Sequence, residues 1–475
     1  MGATSTGVNY NNALGYQALS TTTGSKNNAF GYQALGASTA GNYNCAFGHE
    51  AGEATTTGEN NQFIGYESGK ANTTGGNNTC VGSDTLKTNT TGNHNVAIGL
   101  NALEDSTTSS NNVAIGVDAG RLNTTGTDNV YIGRTAGESG TTATRCTAVG
   151  AYALDVNTTA SDNNAFGYSA LGANTTGAGN CALGSYALYA NTTGHTNVAV
   201  GGYSPNTGGS NVVAALRHNT TGAKNTAVGV GALAYNTTSS NNTALGYRAG
   251  FTSDGGSDNV WIGLDSGYSQ TTGVRNVMIG VGAGQNVTDG GDNVFVGYQA
   301  GYYNTATTTG DDNVYIGNFA KGSDANEVKA IALGYNVTAG GSNTFRVQAS
   351  SGVYNSNNTT AWSTTSDIRI KKNIVDCTTG LDKINQLRVR NFEYRTEEEI
   401  TDFDNPSAVK VDKQGLQVGV IAQEIEEVLP DTVEQMTTGA YTVNPDNLTW
   451  YLVNAVKELS AENNALKARL DAAGL

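Results

Sequence analysis

Asparagine, apolar residues and glycine recur at a fixed spacing over the first two thirds of the chain. The unit is an asparagine, a variable residue, a small or aromatic residue, an apolar residue and a glycine, as in Asn95-Val96-Ala97-Ile98-Gly99. The closing glycines follow a constant 17-residue step in two series, Gly31, Gly48, Gly65, Gly82, Gly99, Gly116, Gly133, Gly150, Gly167, Gly184 and Gly201, then Gly229, Gly246, Gly263, Gly280 and Gly297. A fixed period of this kind indicates a stacked repeat architecture.

The rest of each unit predicts how one turn is built. Alanine or serine follows three residues after the glycine, as in Gly31-Tyr32-Gln33-Ala34-Leu35, and a polar turn such as Asn89-Thr90-Thr91-Gly92 comes about ten residues after it. Two short apolar runs separated by glycine-bearing turns predict two short strands per turn. We interpret the Asn-x-Thr triplets as turn chemistry rather than as glycosylation sites.

A coil with so short a repeat is thin, so one chain buries little and leaves sheet edges exposed. Association of several chains around a common axis would cover them. The Asn-Val-Ala-Ile-Gly core resembles the head repeat of trimeric autotransporter (YadA-like) adhesins, which implies a trimeric left-handed β-roll. We therefore expect a mainly β, trimeric β-solenoid or β-roll of 17-residue repeats over residues 1–335, and a β neck over residues 336–365.

Three functions of the repeat remain open from its residues. It could be a stiff spacer, or a receptor-binding surface on which exposed Tyr, Asn and Thr contact a host-cell surface glycan or another receptor. Ice binding through threonine ladders is disfavoured, because the repeat carries adjacent threonines and neighbours on a strand point to opposite faces.

The composition argues against several classes of partner and cofactor. The net charge of −15 argues against nucleic-acid binding. The sequence contains no run of 18 apolar residues, so membrane insertion is not expected. It also shows no N-terminal pattern of a secretory signal. The four histidines are scattered and the five cysteines form no C-x-x-C pair, so no metal and no cofactor are expected. Because four cysteines take the place of small residues in the repeat, we expect buried free thiols.

The composition changes at residue 366. Residues 366–475 hold 12 Lys/Arg and 19 Asp/Glu, whereas the far longer segment 1–335 holds 12 and 21. This shift predicts a separate domain. Residues 448–472 are predicted to form its C-terminal helix, with apolar residues at the heptad spacing of a coiled coil. The seam that should join the copies is Leu452, Val456, Leu459, Asn463, Leu466 and Leu470.

The junction itself carries candidate chemistry. In Ser366-Asp367-Ile368-Arg369-Ile370-Lys371-Lys372-Asn373 a serine and a lysine stand five residues apart, the minimum equipment of a Ser/Lys nucleophilic centre. With Phe392-Glu393-Tyr394, Gly419-Val420-Ile421-Ala422-Gln423-Glu424-Ile425 and Ala455-Val456-Lys457-Glu458-Leu459, the segment resembles the C-terminal intramolecular chaperone of endosialidase-type phage tailspikes and tail fibres. That family is a serine peptidase that cuts itself off after assembly, and here it implies a small α+β domain.

The resemblance implies a role for each residue at the junction. Ser366 is the nucleophile, Thr365–Ser366 is the scissile bond, and Lys371 is the general base. An unperturbed lysine, with a pKa of about 10.4, is protonated at neutral pH, so a cationic neighbour or burial must lower its pKa. Arg369 and Lys372 are candidate neighbours. Gln423 and Glu424 are candidate supporting residues.

These expectations describe a virion tail fibre or host-adhesion protein, made in the host cytoplasm. Its C-terminal domain drives trimerisation and folding and then releases itself in a single turnover. Its partners would be two further copies, a host receptor and a virion attachment protein. The alternative is a bacterial surface adhesin or structural stalk with an uncleaved trimerisation domain.

Overall fold

A computed structural model describes residues 10–203, 213–302, 309–339, 341–347, 372–402, 411, 414–435, 440–443 and 445–474. The chain divides into two units, Met1–Trp362 and Ser363–Leu475. Each unit is described by itself.

The first unit is a β-solenoid with one short strand per turn. Twenty parallel strands of three residues each pair in chain order, every one with the next. They are β1 Asn12–Leu14, β2 Asn28–Phe30, β3 Cys45–Phe47, β4 Gln62–Ile64, β5 Thr79–Val81, β6 Val96–Ile98, β7 Val113–Ile115, β8 Val130–Ile132, β9 Thr147–Val149, β10 Asn164–Phe166, β11 Cys181–Leu183, β12 Val198–Val200, β13 Thr226–Val228, β14 Thr243–Leu245, β15 Val260–Ile262, β16 Val277–Ile279, β17 Val294–Val296, β18 Val314–Ile316, β19 Ile331–Leu333 and β20 Phe345–Val347. The predicted β-solenoid class is confirmed.

The prediction of two strands per turn is wrong. After the closing Gly31, the backbone is left-handed at Gln33 (φ +54°) and Leu35 (φ +50°), and left-handed residues cannot continue a strand. The segment still bonds to the next turn, since the Leu35 N–H donates to the Ala51 carbonyl at 3.0 Å. Stacking therefore satisfies the backbone without strand geometry.

The solenoid core balances large and small side chains between two rows. One row is the buried strand centre, and the other lies four residues after the closing glycine. Ala97 at a strand centre is accompanied by buried Leu86 and Leu103. Phe63 is instead flanked by Gly52 and Gly69, where a Cβ would stand 2.6 and 2.1 Å from its ring. The same exchange recurs around Tyr131 and Trp261, so the interior volume stays nearly constant.

Buried asparagines before the strands join successive turns. The Asn112 side chain accepts the Asn129 N–H and donates to the Gly126 carbonyl, both at 3.0 Å. Equivalent bonds recur along the solenoid, from Asn27 to Asn313. Each amide thus satisfies buried backbone groups that no strand partner reaches.

A second asparagine row explains the Asn-x-Thr triplets. Asn89 is fully buried, accepts the Gly92 N–H at 3.0 Å and donates to Asn72 of the preceding turn at 2.8 Å. The following threonine, Thr90, donates its hydroxyl to the Thr107 carbonyl at 3.0 Å. These residues build the turn, as the sequence predicted.

The cysteines occupy three kinds of position. Cys80 and Cys146 are buried, Cys45 and Cys181 are half-buried, and Cys377 is exposed. Burial raises the pKa of the Cys80 thiol, which keeps it protonated and unreactive. Cys146 replaces an asparagine of the first row, not a small residue as expected.

Replacing Cys146 by asparagine is expected to stabilise the solenoid by about 1–2 kcal/mol, because the amide could accept the Asn163 N–H and donate to the Ala160 carbonyl. Thermal unfolding of the full chain measures the gain. Cys181→Asn, at a half-buried strand position, is the control and should give no gain. An equal effect at both positions would contradict the role assigned to the row.

Little of the predicted neck at 336–365 falls within the described residues. Within it, β20 pairs in parallel with β19, so the solenoid sheet extends to Val347.

The second unit is a small α+β domain. Its elements are α1 Leu381–Ile384, β21 Arg390–Phe392, β22 Gln417–Gly419, α2 Ala422–Glu426, β23 Val433–Gln435, β24 Tyr441–Val443 and α3 Pro445–Ala473. Two antiparallel pairs form, β21 with β22 and β23 with β24. Ile425, Leu429 and Ala455 are its buried apolar residues among those described.

Candidate functional site

The predicted catalytic residues Ser366 and Lys371 lie outside the described residues. So do Thr365 of the predicted scissile bond and the candidate cationic neighbour Arg369. Lys372 is the first described residue after them and its side chain is exposed. The assignments of nucleophile, base and scissile bond therefore stay predictions.

Of the two supporting residues, Glu424 has a defined partner. It lies on α2, and its carboxylate receives two hydrogen bonds from the Arg390 guanidinium on β21, at 3.1 and 2.5 Å. These bonds lower the pKa of the Glu424 carboxyl. The bonds link α2 to β21, but because the pair is largely solvent-exposed it adds little stability. Gln423 on the same helix is exposed.

Sequence reasoning missed Arg390. It stands 34 residues before Glu424, and a single basic residue in a short strand gives no signal of its distant partner.

Helix α3 holds the segment that follows the junction. Asn454 donates to the carbonyls of Cys377 at 3.1 Å and Thr379 at 3.3 Å, and Glu458 accepts the Leu381 N–H at 2.7 Å. The Tyr451 hydroxyl bonds to Asp431, which raises the pKa of Tyr451 to about 12. One face of α3 is thus committed to its own domain.

The predicted seam occupies a different face of α3. Leu452, Val456 and Leu459 are 51%, 58% and 53% exposed, whereas the neighbouring Ala455 is 3% exposed. Further along the helix Leu466 and Leu470 are exposed as well, as is Asn463. The seam is therefore a mainly apolar stripe that the described residues of this unit leave exposed.

The solenoid carries a comparable stripe. The third residue of every strand is apolar, from Leu14 in β1 to Val347 in β20, and none of those in β1 to β19 is fully buried. We call these residues the strand-end row. Phe47, Leu183 and Leu245 are 40–49% exposed. The strand-end row is therefore an apolar row that the described residues leave partly exposed.

Other sites are not evident in the described part of the chain. There, no helix combines the length and the apolar content that crossing a membrane requires. No cluster of three or more His, Cys, Asp or Glu side chains is arranged to hold a metal ion within the same residues.

The second unit contains a segment that matches a known protein family. Residues 366–434 match the family described as chaperone of endosialidase, which is a peptidase family and so implies a self-cleaving peptidase domain. The match begins at Ser366. The chain therefore joins a β-solenoid of 17-residue turns to a C-terminal domain that matches the chaperone-of-endosialidase family over residues 366–434, an organisation consistent with a tail-fibre or tailspike type of protein.

Proposed function

We propose that the chain is a homotrimeric virion tail fibre that attaches to a host cell. Its C-terminal domain directs trimerisation and folding, and then releases itself by cutting between Thr365 and Ser366. The observation that carries this proposal is the family match over residues 366–434, whose first residue would be the first residue released.

The cleavage chemistry needs only this chain's residues and water. Neutral Lys371 takes the Ser366 hydroxyl proton as the oxygen attacks the Thr365 carbonyl carbon. The C–N bond breaks, an ester forms, and the nitrogen leaves as the Ser366 amino group with a proton. Water then hydrolyses the ester, which leaves the Thr365 carboxylate and restores the serine hydroxyl.

Two unburied apolar stripes support trimerisation. The strand-end row lies on the solenoid and the seam lies on α3, and further copies of the chain would cover both. The strands repeat at a constant spacing, so a copy shifted by one turn would meet nearly the same surface. A domain that trimerises first would set the register. Its removal afterwards would trap the fibre kinetically.

Denaturing electrophoresis of the wild-type chain is the first test of the function. The expected result is two pieces, one spanning positions 1–365 and the other positions 366–475, with the larger piece trimeric under native conditions. A trimer that stays uncut would support the alternative of an adhesin or stalk with a permanent trimerisation domain.

The strand-end row can be tested separately. Replacing Ile98, Ile115 and Ile132 together by glutamate would place nine like charges at the proposed contact, so we expect loss of the trimer in sedimentation analysis. The matched control carries glutamate at the exposed Thr91, Thr108 and Thr125 of the same turns and should remain trimeric. Equal behaviour of the two variants would remove the strand-end row from the interface.

A further inference from the structure

A shallow groove crosses four successive turns, those that follow Gly201, Gly229, Gly246 and Gly263. It is open to solvent and has a volume of about 680 Å³. Its lining includes two aromatic rings, several hydroxyl groups and one carboxylate, supplied by His218, Tyr235, Thr237, Thr252, Asp254 and Thr271.

Aromatic side chains form a continuous line beside the groove. His218, Tyr235, Phe251 and Tyr268 contact each other in succession with ring centroids 5.0–5.1 Å apart. Phe251 and Tyr268 stand five residues after a closing glycine. In earlier turns that position holds charged residues such as Lys87 and Arg121, which form ion pairs. The solenoid therefore does not require aromatic residues there.

The polar groups of the groove mainly accept hydrogen bonds. The Thr252 hydroxyl donates to the Tyr268 carbonyl at 2.8 Å, and the Thr271 hydroxyl donates to Asp289 at 2.6 Å. Asp254 accepts the Thr237 N–H at 3.1 Å and keeps an exposed carboxylate. With their hydrogens committed, the hydroxyl oxygens offer lone pairs, so a ligand must bring donors.

The charge of the groove restricts the ligand further. None of its described lining residues is Lys or Arg, and Asp254 is negative. Burial and the nearby Arg217 lower the pKa of His218, which keeps the imidazole neutral at neutral pH. An anionic ligand would find no cation in the lining and one carboxylate that repels it. Arg248, whose guanidinium lies 4.9 Å from the Tyr268 ring centroid, is already paired with Asp265 at 2.7 Å.

We propose that this groove binds a neutral carbohydrate chain, which packs against the outer edges of the stacked aromatic rings and whose hydroxyls donate to Asp254 and the threonines. The inference rests on the proposed attachment function and names the class of receptor. Apart from His218, which lies in the longer turn between Gly201 and Gly229, the groove residues lie eight to eleven positions after a strand centre, for example Tyr235 and Thr237 after Ala227. They are therefore about half a turn from the strand-end row and stay accessible in the trimer.

A microarray of neutral hexose and N-acetylhexosamine oligosaccharides, with sialylated and uronate-containing oligosaccharides beside them, tests the proposal on the full trimeric chain. We expect binding to neutral members only. Tyr235→Ala and Asp254→Asn should each weaken it about tenfold. The control Tyr32→Ala removes an exposed ring from another aromatic stack and should leave binding unchanged.

The outcomes separate the groove from the attachment function. Neutral-glycan binding that survives Tyr235→Ala and Asp254→Asn keeps attachment and overturns the groove. Binding to acidic glycans alone keeps attachment and overturns the proposed ligand class. A cleaved trimer that binds none of the oligosaccharides overturns both the glycan receptor and the groove, while trimerisation and self-release stand.

Discussion

The Ser366→Ala chain is expected to stay at full length under denaturing conditions, while the wild type separates into two pieces. Without the hydroxyl there is no nucleophile at the bond that begins the family match. We expect no detectable cleavage. The attacking Ser366 hydroxyl belongs to a residue of the scissile bond itself, and a side chain elsewhere in the domain would not stand in its place. Trimer assembly should be preserved, since a methyl group replaces a small polar one.

The rate of cleavage is expected to depend on pH through the protonation of Lys371. As a general base it acts only when neutral, so the cleavage rate should rise with pH up to its folded pKa and then level off. Lys371→Arg should not cut at any pH near neutral, because a guanidinium stays protonated. A plateau below pH 8 would show that the fold lowers the pKa of Lys371 from its ordinary value of about 10.4.

Two neighbouring residues supply the controls. Ser363→Ala changes the same residue type close by and should cleave as the wild type does. Lys372→Ala removes a candidate cationic neighbour of Lys371, so it should cleave more slowly at neutral pH but reach the wild-type rate at higher pH. If Ser366→Ala were cut as fast as Ser363→Ala, the nucleophile would lie elsewhere. If Lys372→Ala alone abolished cleavage, the base would be misassigned by one position.

The repeat period was enough to predict the solenoid but not the path of each turn. A constant spacing between glycines indicates stacked turns, because each turn must bring its glycine next to the equivalent glycine of the preceding turn. It does not report φ, and the left-handed backbone at Gln33 and Leu35 lies at residues with no preference for it. The hydrogen bonds of the next turn hold them there, which is a tertiary effect.

The site could be predicted where its signals are local. The heptad spacing of Leu452, Val456 and Leu459 predicted a seam on the C-terminal helix; these residues lie on α3 and are exposed, and their contact with other copies stays a prediction. The Arg390–Glu424 pair could not be predicted, because it depends on how β21 and α2 come together. The sequence shows the apolar residues of the strand-end row in every repeat. It does not show whether they face the core or the surface, which depends on their solvent exposure in the folded solenoid.

The largest stability effect is expected from Gly69→Leu. A Cβ at Gly69 would stand 2.1 Å from Cε1 of Phe63, and the buried ring is enclosed by the turns above and below. We expect a loss of at least about 3 kcal/mol from overpacking. The urea midpoint of the full chain measures it, and Thr74→Leu, at an exposed position of the same turn, should change it little.

Restoring the volume balance should rescue this variant. Leucine is compatible with the left-handed backbone, since Leu86 and Leu103 adopt φ of +48° and +53° at equivalent positions. Phe63→Ala alone should lose about 3–5 kcal/mol through the cavity it leaves. Combined with Gly52→Leu and Gly69→Leu it reproduces the surroundings of Ala97, so the triple variant should be more stable than either single variant. If the stability losses of Phe63→Ala and of the two glycine substitutions simply added, the strand-centre side chain and the two flanking positions would not compensate for each other's volume. That result would contradict the size exchange described around Phe63.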